Sequence, residues 1–135
     1  MIQFLLDTNI CVELIRGRSG RVLSHLRRHE IGDVGISTIT LAELEFGVWR
    51  SSDPPRNTVA LMNFCASMEI LQFDAGAAKA YGHLRASLQK AGAPIGPLDM
   101  LIASHALCLG VKLVTNNERE FRRVVGLSVE NWMKD

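Results

Sequence analysis

The chain has 135 residues, of which 47% are hydrophobic and 21% charged, a composition typical of a globular protein and not of a disordered one. Fifteen Lys and Arg against fourteen Asp and Glu give a net charge of +1, so any nucleic-acid or membrane partner would have to be held by local groups. No apolar run reaches the roughly 18 residues of a membrane span, and the three cysteines match no disulfide or zinc pattern. We therefore expect a cytoplasmic protein without a membrane partner, folded as a single domain over residues 1–135.

Short apolar runs alternate with longer amphipathic segments along the chain. The apolar runs predict strands at residues 2–6, 34–36, 70–73, 112–114 and 127–129. The segments between them predict helices at 21–29, 41–50, 58–68, 75–91 and 98–109. Strands that alternate with helices of this length form crossover units. The expected fold is therefore an α/β/α sandwich, in which helices flank a central parallel sheet of about five short strands.

Two carboxylates in the first part of the chain are candidates for a functional site. Asp7 directly follows the first apolar run, and ligands of an open parallel sheet bind beyond the carboxyl ends of its strands. The N-cap of a helix that begins near Ile10 would explain Asp7 equally well. Glu43 lies off the main apolar stripe of its predicted helix. A capping box with Thr40, or a solvated position, would also explain Glu43.

Two further candidates lie in the second part of the chain. Asp99 falls in the first turn of a predicted helix, where the helix dipole favours a carboxylate. It also lies on the small-residue face of that helix, with Ala103 and Ala106, where a buried carboxylate needs a cation or hydrogen-bond donors. Asn117 follows the fourth apolar run, where it could form a capping arrangement with Glu120, supply a ligand oxygen or orient a water, and Glu120 is the nearby carboxylate alternative.

These positions share one property, which is that oxygen-bearing side chains follow strand ends in distant parts of the chain. A parallel sheet gathers such positions along one edge. Three carboxylates in one cleft repel each other and need a compensating cation, and ligands that are all oxygen favour Mg²⁺, with Mn²⁺ as a substitute, over zinc. The residues therefore predict metal-assisted chemistry on a phosphate ester.

Four motifs in this order make the sequence recognisable. They are residues 5–9 (LLDTN), 37–47 (STITLAELEFG), 96–103 (GPLDMLIA) and 113–121 (LVTNNEREF). Together they closely resemble the PIN-domain family, specifically the VapC-type toxins of bacterial type II toxin–antitoxin systems. The resemblance spans nearly the whole chain and implies a single PIN domain with Mg²⁺-dependent endoribonuclease activity.

The resemblance also implies roles for individual residues. Asp7 and Asp99 would bind the metal directly, and Glu43 would be the third acidic member of the site. Asn117 stands where the family often has a fourth acidic residue, and it completes the implied catalytic set. The implied supporting residues are Thr8, Thr115 and Glu120.

The partners that the resemblance implies are RNA, an antitoxin and a second copy of the chain. The RNA would be structured, such as tRNA, and its cleavage would inhibit translation until a VapB-type antitoxin occludes the cleft of the homodimer in a larger complex. Basic side chains would contact RNA phosphates or the antitoxin, although a solvated basic face is the ordinary alternative. These side chains are Arg16, Arg18, Arg21, Arg28, Arg119 and Arg122.

A second apolar face on the predicted helix at 41–50 comprises Ala42, Phe46 and Trp49. It is a candidate surface for the dimer or the antitoxin, and ordinary core is the alternative. Two other functions stay open from the residues. One is a phosphohydrolase that uses Asp7 as a nucleophile, although Asn9 stands where such enzymes usually have a second Asp. The other is a non-catalytic module that binds RNA or protein, for which an acidic cleft has no use.

Overall fold

A computed structural model describes residues 1–134 of the chain. In that part, the strands are β1 Phe4–Leu6, β2 Val34–Ser37, β3 Glu69–Leu71, β4 Lys112–Val114 and β5 Val129–Glu130. The helices are α1 Thr8–Arg16, α2 Gly20–Leu26, α3 Thr38–Trp49, α4 Pro54–Cys65, α5 Ala75–Ala91, α6 Pro97–Leu109 and α7 Glu118–Phe121. No helix within residues 1–134 combines the length and the apolar character needed to cross a membrane.

The five strands form one parallel sheet in the order β3-β2-β1-β4-β5. β1 lies at the centre, and successive strands are added on one side up to β3 and on the other side from β4 onward. The strand order therefore reverses between β1 and β4. In open parallel sheets, a reversal of this kind leaves a crevice at the carboxyl ends of the two strands, where ligands bind.

Side chains alternate between the two faces of the sheet and supply a core on each face. From β1, Phe4 and Leu6 pack into a buried cluster with side chains of α1, α2, α3 and α4. Leu5 points the other way and packs into a second buried cluster with side chains of α5 and α6. Burial on both faces is the usual state of a parallel sheet between helices. The predicted α/β/α sandwich is thus confirmed.

Several predicted boundaries were wrong at the ends of elements. α4 begins at Pro54, not at residue 58, because Asp53 caps it by accepting from the Arg56 N–H at 3.2 Å and because proline suits a first helical turn. α1 begins at Thr8, directly after β1, and not near Ile10. β5 includes Val129 and Glu130, not residues 127–129, because these two residues pair with β4.

The predicted strand at 70–73 is also shifted. β3 spans Glu69–Leu71, where it pairs with β2. The Phe73 N–H leaves the sheet and donates to Thr38 Oγ1 at 3.2 Å. The strand therefore ends before Phe73, and the loop after β3 is joined to the first turn of α3.

Candidate active site

Asp7 lies at the crevice between β1 and β4 and is almost fully buried, with 4% of its surface exposed. Its Oδ1 accepts a 2.8 Å hydrogen bond from the Thr8 N–H, and Asp7 is the N-cap of α1. Its Oδ2 accepts a 2.7 Å hydrogen bond from the Thr115 hydroxyl, which follows β4. The N-cap interpretation of Asp7 is thus confirmed, and its position at the carboxyl end of β1 is the one from which a site residue was predicted.

Glu43 is joined to the same place through Thr8. The Thr8 hydroxyl donates to Glu43 Oε1 at 2.8 Å and lies 3.4 Å from the Thr40 hydroxyl. The capping box of Thr40 and Glu43 does not form, because α3 begins earlier and Ser37 caps it by accepting from a backbone N–H. Glu43 is half-buried and is held by a neighbouring side chain instead.

The residues that follow β4 place Glu120 at the site. Glu120 Oε1 accepts from the Gly96 N–H at 2.8 Å, and Oε2 accepts from Asn117 Nδ2 at 2.6 Å. The Asn117 N–H in turn donates to Thr115 Oγ1 at 3.0 Å, and the Asn117 side chain makes no capping bond to α7. The Asn117 amide thus orients a carboxylate, and Glu120 is the charged group at this corner of the crevice.

The pKa shifts show that these carboxylates act on one another. Burial raises the pKa of Asp7, hydrogen bonds from Thr115 and Thr8 oppose this rise, and the charges of Glu43 and Glu120 add to it. Burial, together with the charges of Asp7, Glu120 and Glu43, raises the pKa of Asp99 to about 7. Four acidic side chains therefore share one electrostatic environment: Asp7 directly after β1, Glu43 on α3, Asp99 on α6 and Glu120 on α7.

Asp99 and Glu120 also act on each other. The Gly96 N–H and the Asn117 amide lower the pKa of Glu120, and a hydrogen bond with Asp99 lowers it further. The same bond adds to the rise in the pKa of Asp99 that burial and the neighbouring charges cause. The Gly96 backbone lies close to both carboxylates, since a Cβ at this position would be in ordinary van der Waals contact with Asp99 Oδ2, at 3.4 Å.

The donor chemistry of this group fits a hard divalent cation. The facing atoms are carboxylate oxygens, which suit Mg²⁺ and Mn²⁺, and the concentration of negative charge is costly without a compensating ion. Across residues 1–134, no set of three or more His, Cys, Asp or Glu side chains has the spacing of a metal-binding group. The fit thus rests on charge and ligand type.

A groove of about 860 Å³ runs from the site between α1, α3 and α4. Thr8 and Glu43 line it where it adjoins the carboxylates. Phe46 lines it from α3 and is 67% exposed, and Trp49 on the same helix is 71% exposed. The interpretation of this apolar face as ordinary core is therefore wrong, because its large side chains lie on the surface.

The predicted basic residues are spread over the surface, and Arg16 is the one of the six that lines the groove. Arg18 forms an ion pair with Glu13 at 2.9 Å, and Arg122 forms one with Glu118 at 2.8 Å. The other predicted contacts are also exposed: Arg21, Arg28 and Arg119.

Sequence reasoning missed two contributors to the site. The Gly96 N–H is a backbone donor, and no residue type in the sequence identifies which backbone donor will meet a carboxylate. Arg50 lines the groove with its guanidinium 5.6 Å from the centre of the Phe46 ring. The helical spacing of Phe46 and Arg50 was the signal that could have revealed this pair.

Comparison with known proteins agrees with this geometry. The model of the PIN domain family matches residues 4–127. The tRNA(fMet)-specific endonuclease VapC of Shigella flexneri is 42% identical over 132 residues, which are 98% of this chain and 99% of that protein. Ribonuclease VapC2 of Haemophilus influenzae is 39% identical over 98% of this chain and 100% of that protein. In the crystal structure of VapBC2 from Rickettsia felis bound to a promoter DNA fragment, one chain superposes with a TM-score of 0.92 at 41% identity, covering 98% of this chain and 99% of that one.

The chain belongs to the PIN-domain family. Its near-full-length relatives place it among the VapC-type ribonucleases of that family, as the four sequence motifs predicted. Neither the phosphohydrolase nor the non-catalytic module is favoured by these relatives.

Proposed function

We propose that this chain is a toxin that hydrolyses tRNA with the help of Mg²⁺ held by Asp7, Glu43 and Asp99. The observation that carries this proposal is the grouping of Asp7, Glu43, Asp99 and Glu120 at one crevice, where burial and the three neighbouring carboxylates raise the pKa of Asp99 to about 7. An ionised carboxylate in this environment destabilises the fold, and a bound cation would compensate its charge. Mn²⁺ has similar ligand preferences and would substitute.

The chain's own residues position the reacting groups. When bound, Mg²⁺ supplies a Lewis acid that neutralises negative charge on the phosphoryl oxygens and makes a nearby water more acidic. Thr115 and Thr8 fix the two oxygens of Asp7, and Thr8 also fixes Glu43. Asn117 orients Glu120, whose charge adds to the negative electrostatic potential at Asp7 and Asp99.

The proposed substrate class rests on the relatives and on the groove. The Shigella flexneri relative is named for its action on tRNA(fMet). Arg16 and Arg50 line the groove that leads to the carboxylates, and guanidinium groups bind RNA phosphates well. The groove would therefore hold the RNA backbone beside the site, with the scissile phosphate near Glu43.

We place a VapB-type antitoxin in the same groove. Its walls are largely apolar, and Phe46 is exposed along it, as expected of a surface that a protein partner covers. An occupant of this groove would keep RNA from the carboxylates. The chain would act in the cytoplasm, where tRNA lies and where its three free cysteines stay reduced, as a homodimer within a larger toxin–antitoxin complex.

A cleavage assay on a tRNA pool tests the proposed activity. The chain is incubated with Mg²⁺, with Mn²⁺ or with EDTA, beside Asp99→Asn and the matched control Asp53→Asn, whose carboxylate caps α4. Cleavage should require the divalent ion and Asp99, and it should survive Asp53→Asn. Water attack needs no ribose 2′-hydroxyl, so the products should carry 5′-phosphate and 3′-hydroxyl ends. Cyclic 2′,3′-phosphate ends, or cleavage that persists in EDTA, would contradict the proposal.

A further inference from the structure

His105 lies deep in α6, the helix that carries Asp99, and is 1% exposed. Its ring packs edge-on against Phe73, with centroids 5.5 Å apart and planes at 77°. Burial lowers its pKa, so the ring is neutral near neutral pH. A buried neutral imidazole needs partners for both nitrogens, and the identity of those partners shows which elements it joins.

One partner is Ser37, the N-cap of α3. His105 Nδ1 lies 2.8 Å from Ser37 Oγ, which itself accepts from the Ile39 N–H at 3.0 Å. Because Oγ already accepts that cap bond, its own proton is available to Nδ1. The other partner is the backbone of Gln72, which bonds to the ring in a way that favours its protonated form, as a carbonyl acceptor does. The tautomer that fits both contacts is the one in which Nδ1 accepts from Ser37 and the other ring nitrogen donates to the Gln72 backbone.

These bonds join three elements at one point. α3 begins at Ser37 and carries Glu43, α6 carries Asp99, and the loop after β3 contributes Gln72. The Phe73 N–H bonds to Thr38 Oγ1, so the loop is fixed to α3 as well. Among these contacts, the hydrogen bond between His105 and Ser37 is the one that connects α6 to the N-cap of α3. This bond is called the tie below.

We infer that His105 is a positioning residue, which sets the separation of the Asp99 and Glu43 carboxylates by tying α6 to the Ser37 cap of α3. This inference rests on the proposed function, because it assumes that both carboxylates serve one cation. Removal of the tie leaves each carboxylate intact but allows the two helices to shift. The cost should therefore appear in cation affinity and kcat more than in RNA binding.

Two amide variants separate the Ser37 link from the Gln72 link. His105→Asn keeps an acceptor where Nδ1 lies and can still receive the Ser37 proton, whereas His105→Gln reaches toward Gln72 and leaves Ser37 without its acceptor. Ser104→Ala is the matched control, because Ser104 is buried on the same helix but its hydroxyl bonds within α6, to the Met100 carbonyl at 2.6 Å. Thermal unfolding of each variant reports stability separately from activity.

The readouts are Mn²⁺ affinity, measured by electron paramagnetic resonance of the free ion, and kcat on tRNA at saturating Mg²⁺. His105→Gln should weaken Mn²⁺ binding and kcat by roughly tenfold or more, as loss of groups that orient metal ligands does, with KM for RNA nearly unchanged. His105→Asn should recover most of the Mn²⁺ affinity and most of kcat. Ser104→Ala should retain the wild-type Mn²⁺ affinity and kcat even if its Tm falls as far as that of His105→Gln. Equal values for the two amide variants, or a loss in Ser104→Ala that equals that in His105→Gln, would overturn the inference. The Mn²⁺ measurement decides the inference even if the wild-type chain cleaves no tRNA, an outcome that counts against the proposed function alone.

Discussion

The Thr115 hydroxyl donates a 2.7 Å hydrogen bond to Asp7 Oδ2 across the crevice between β4 and β1. Both residues are also fixed by the sheet, since the Asp7 N–H donates to the Val114 carbonyl and the Thr115 N–H donates to the Glu130 carbonyl, each at 2.9 Å. The orientation of the most deeply placed carboxylate is therefore set by three adjacent strands. It does not depend on a flexible loop.

Replacement of Thr115 by valine should weaken the site without displacing Asp7 from the sheet. The Thr115 hydrogen bond opposes the rise that burial causes in the pKa of Asp7, so its loss raises that pKa further. We expect the Mg²⁺ concentration for half-maximal cleavage at pH 7 to increase about tenfold, the equivalent of one charge-assisted hydrogen bond. The control is Thr58→Val on α4. A Mg²⁺ dependence unchanged by Thr115→Val would show that Asp7 is oriented without this bond.

Asp99→Asn should stabilise the metal-free protein while it abolishes cleavage. The pKa of Asp99 in the folded chain is about 7, above the ordinary 3.8, so the folded state holds this proton more tightly than the unfolded state. The charge therefore destabilises the fold progressively as pH rises from about 4 through 7, and fully above that range. Because the side chain is half-buried, solvent screening limits the effect to about 1–2 kcal/mol.

Thermal unfolding in EDTA checks this prediction. At pH 8 the Tm of Asp99→Asn should exceed that of the wild type by about 3–8 °C, and the difference should disappear near pH 4, where both side chains are neutral. Added Mg²⁺ should raise the Tm of the wild type more than that of the variant. Asp53→Asn, which exchanges one good N-cap for another, should show neither effect. A variant less stable than the wild type at pH 8 would mean that Asp99 is already compensated by groups of the chain.

The parts of the fold that could be predicted are those written in local patterns. β4 has the predicted bounds because it coincides with a short apolar run. α5 has the predicted bounds because its helical pattern ends at Gly92, which adopts the left-handed conformation that terminates helices. Asp7 could be placed at the site because it directly follows a strand, and the carboxyl ends of parallel strands meet at one edge. Asp99 follows α5 and no strand, so strand ends alone do not place it, and the ordered family motifs supplied the stronger argument for grouping it with Asp7 and Glu43.

The rest depends on contacts between distant parts of the chain. The role of Glu120 follows from the Gly96 N–H, a backbone donor of the loop before α6 that has no signature in residue type. The start of α4 depends on whether Asp53 or a later residue caps it. Because two prolines follow Asp53, the sequence predicted a loop where the helix in fact begins. The tie between His105 and Ser37 joins residues 68 positions apart, which no local pattern reports.

Neutralisation of Glu120 should cost more than removal of Asn117. Glu120→Gln retains an oxygen for the Gly96 N–H but removes a charge that acts on Asp7 and Asp99. We expect its Mn²⁺ affinity at pH 8 to fall about tenfold and that of Asn117→Ala by only about threefold, since the amide acts through Glu120. The nearby control is Glu118→Gln, because Glu118 pairs with Arg122 and Lys134. A larger loss in Asn117→Ala than in Glu120→Gln would make Asn117 the more important group of the two.

Phe46→Glu should impair antitoxin binding and leave the fold intact. Phe46 is 67% exposed on the groove, so its replacement removes little core packing but places a charge where an apolar partner would lie. We expect affinity for the cognate VapB-type antitoxin, measured by calorimetry, to fall at least about tenfold with Tm nearly unchanged. Ile31→Glu is the matched control, because Ile31 is 87% exposed and lies outside the groove.

Light scattering on the free chain tests whether this surface serves a homodimer instead. A dimer that dissociates in Phe46→Glu but not in Ile31→Glu would assign Phe46 to the contact between two copies. If antitoxin affinity and oligomeric state are both unchanged, the exposed ring serves neither partner.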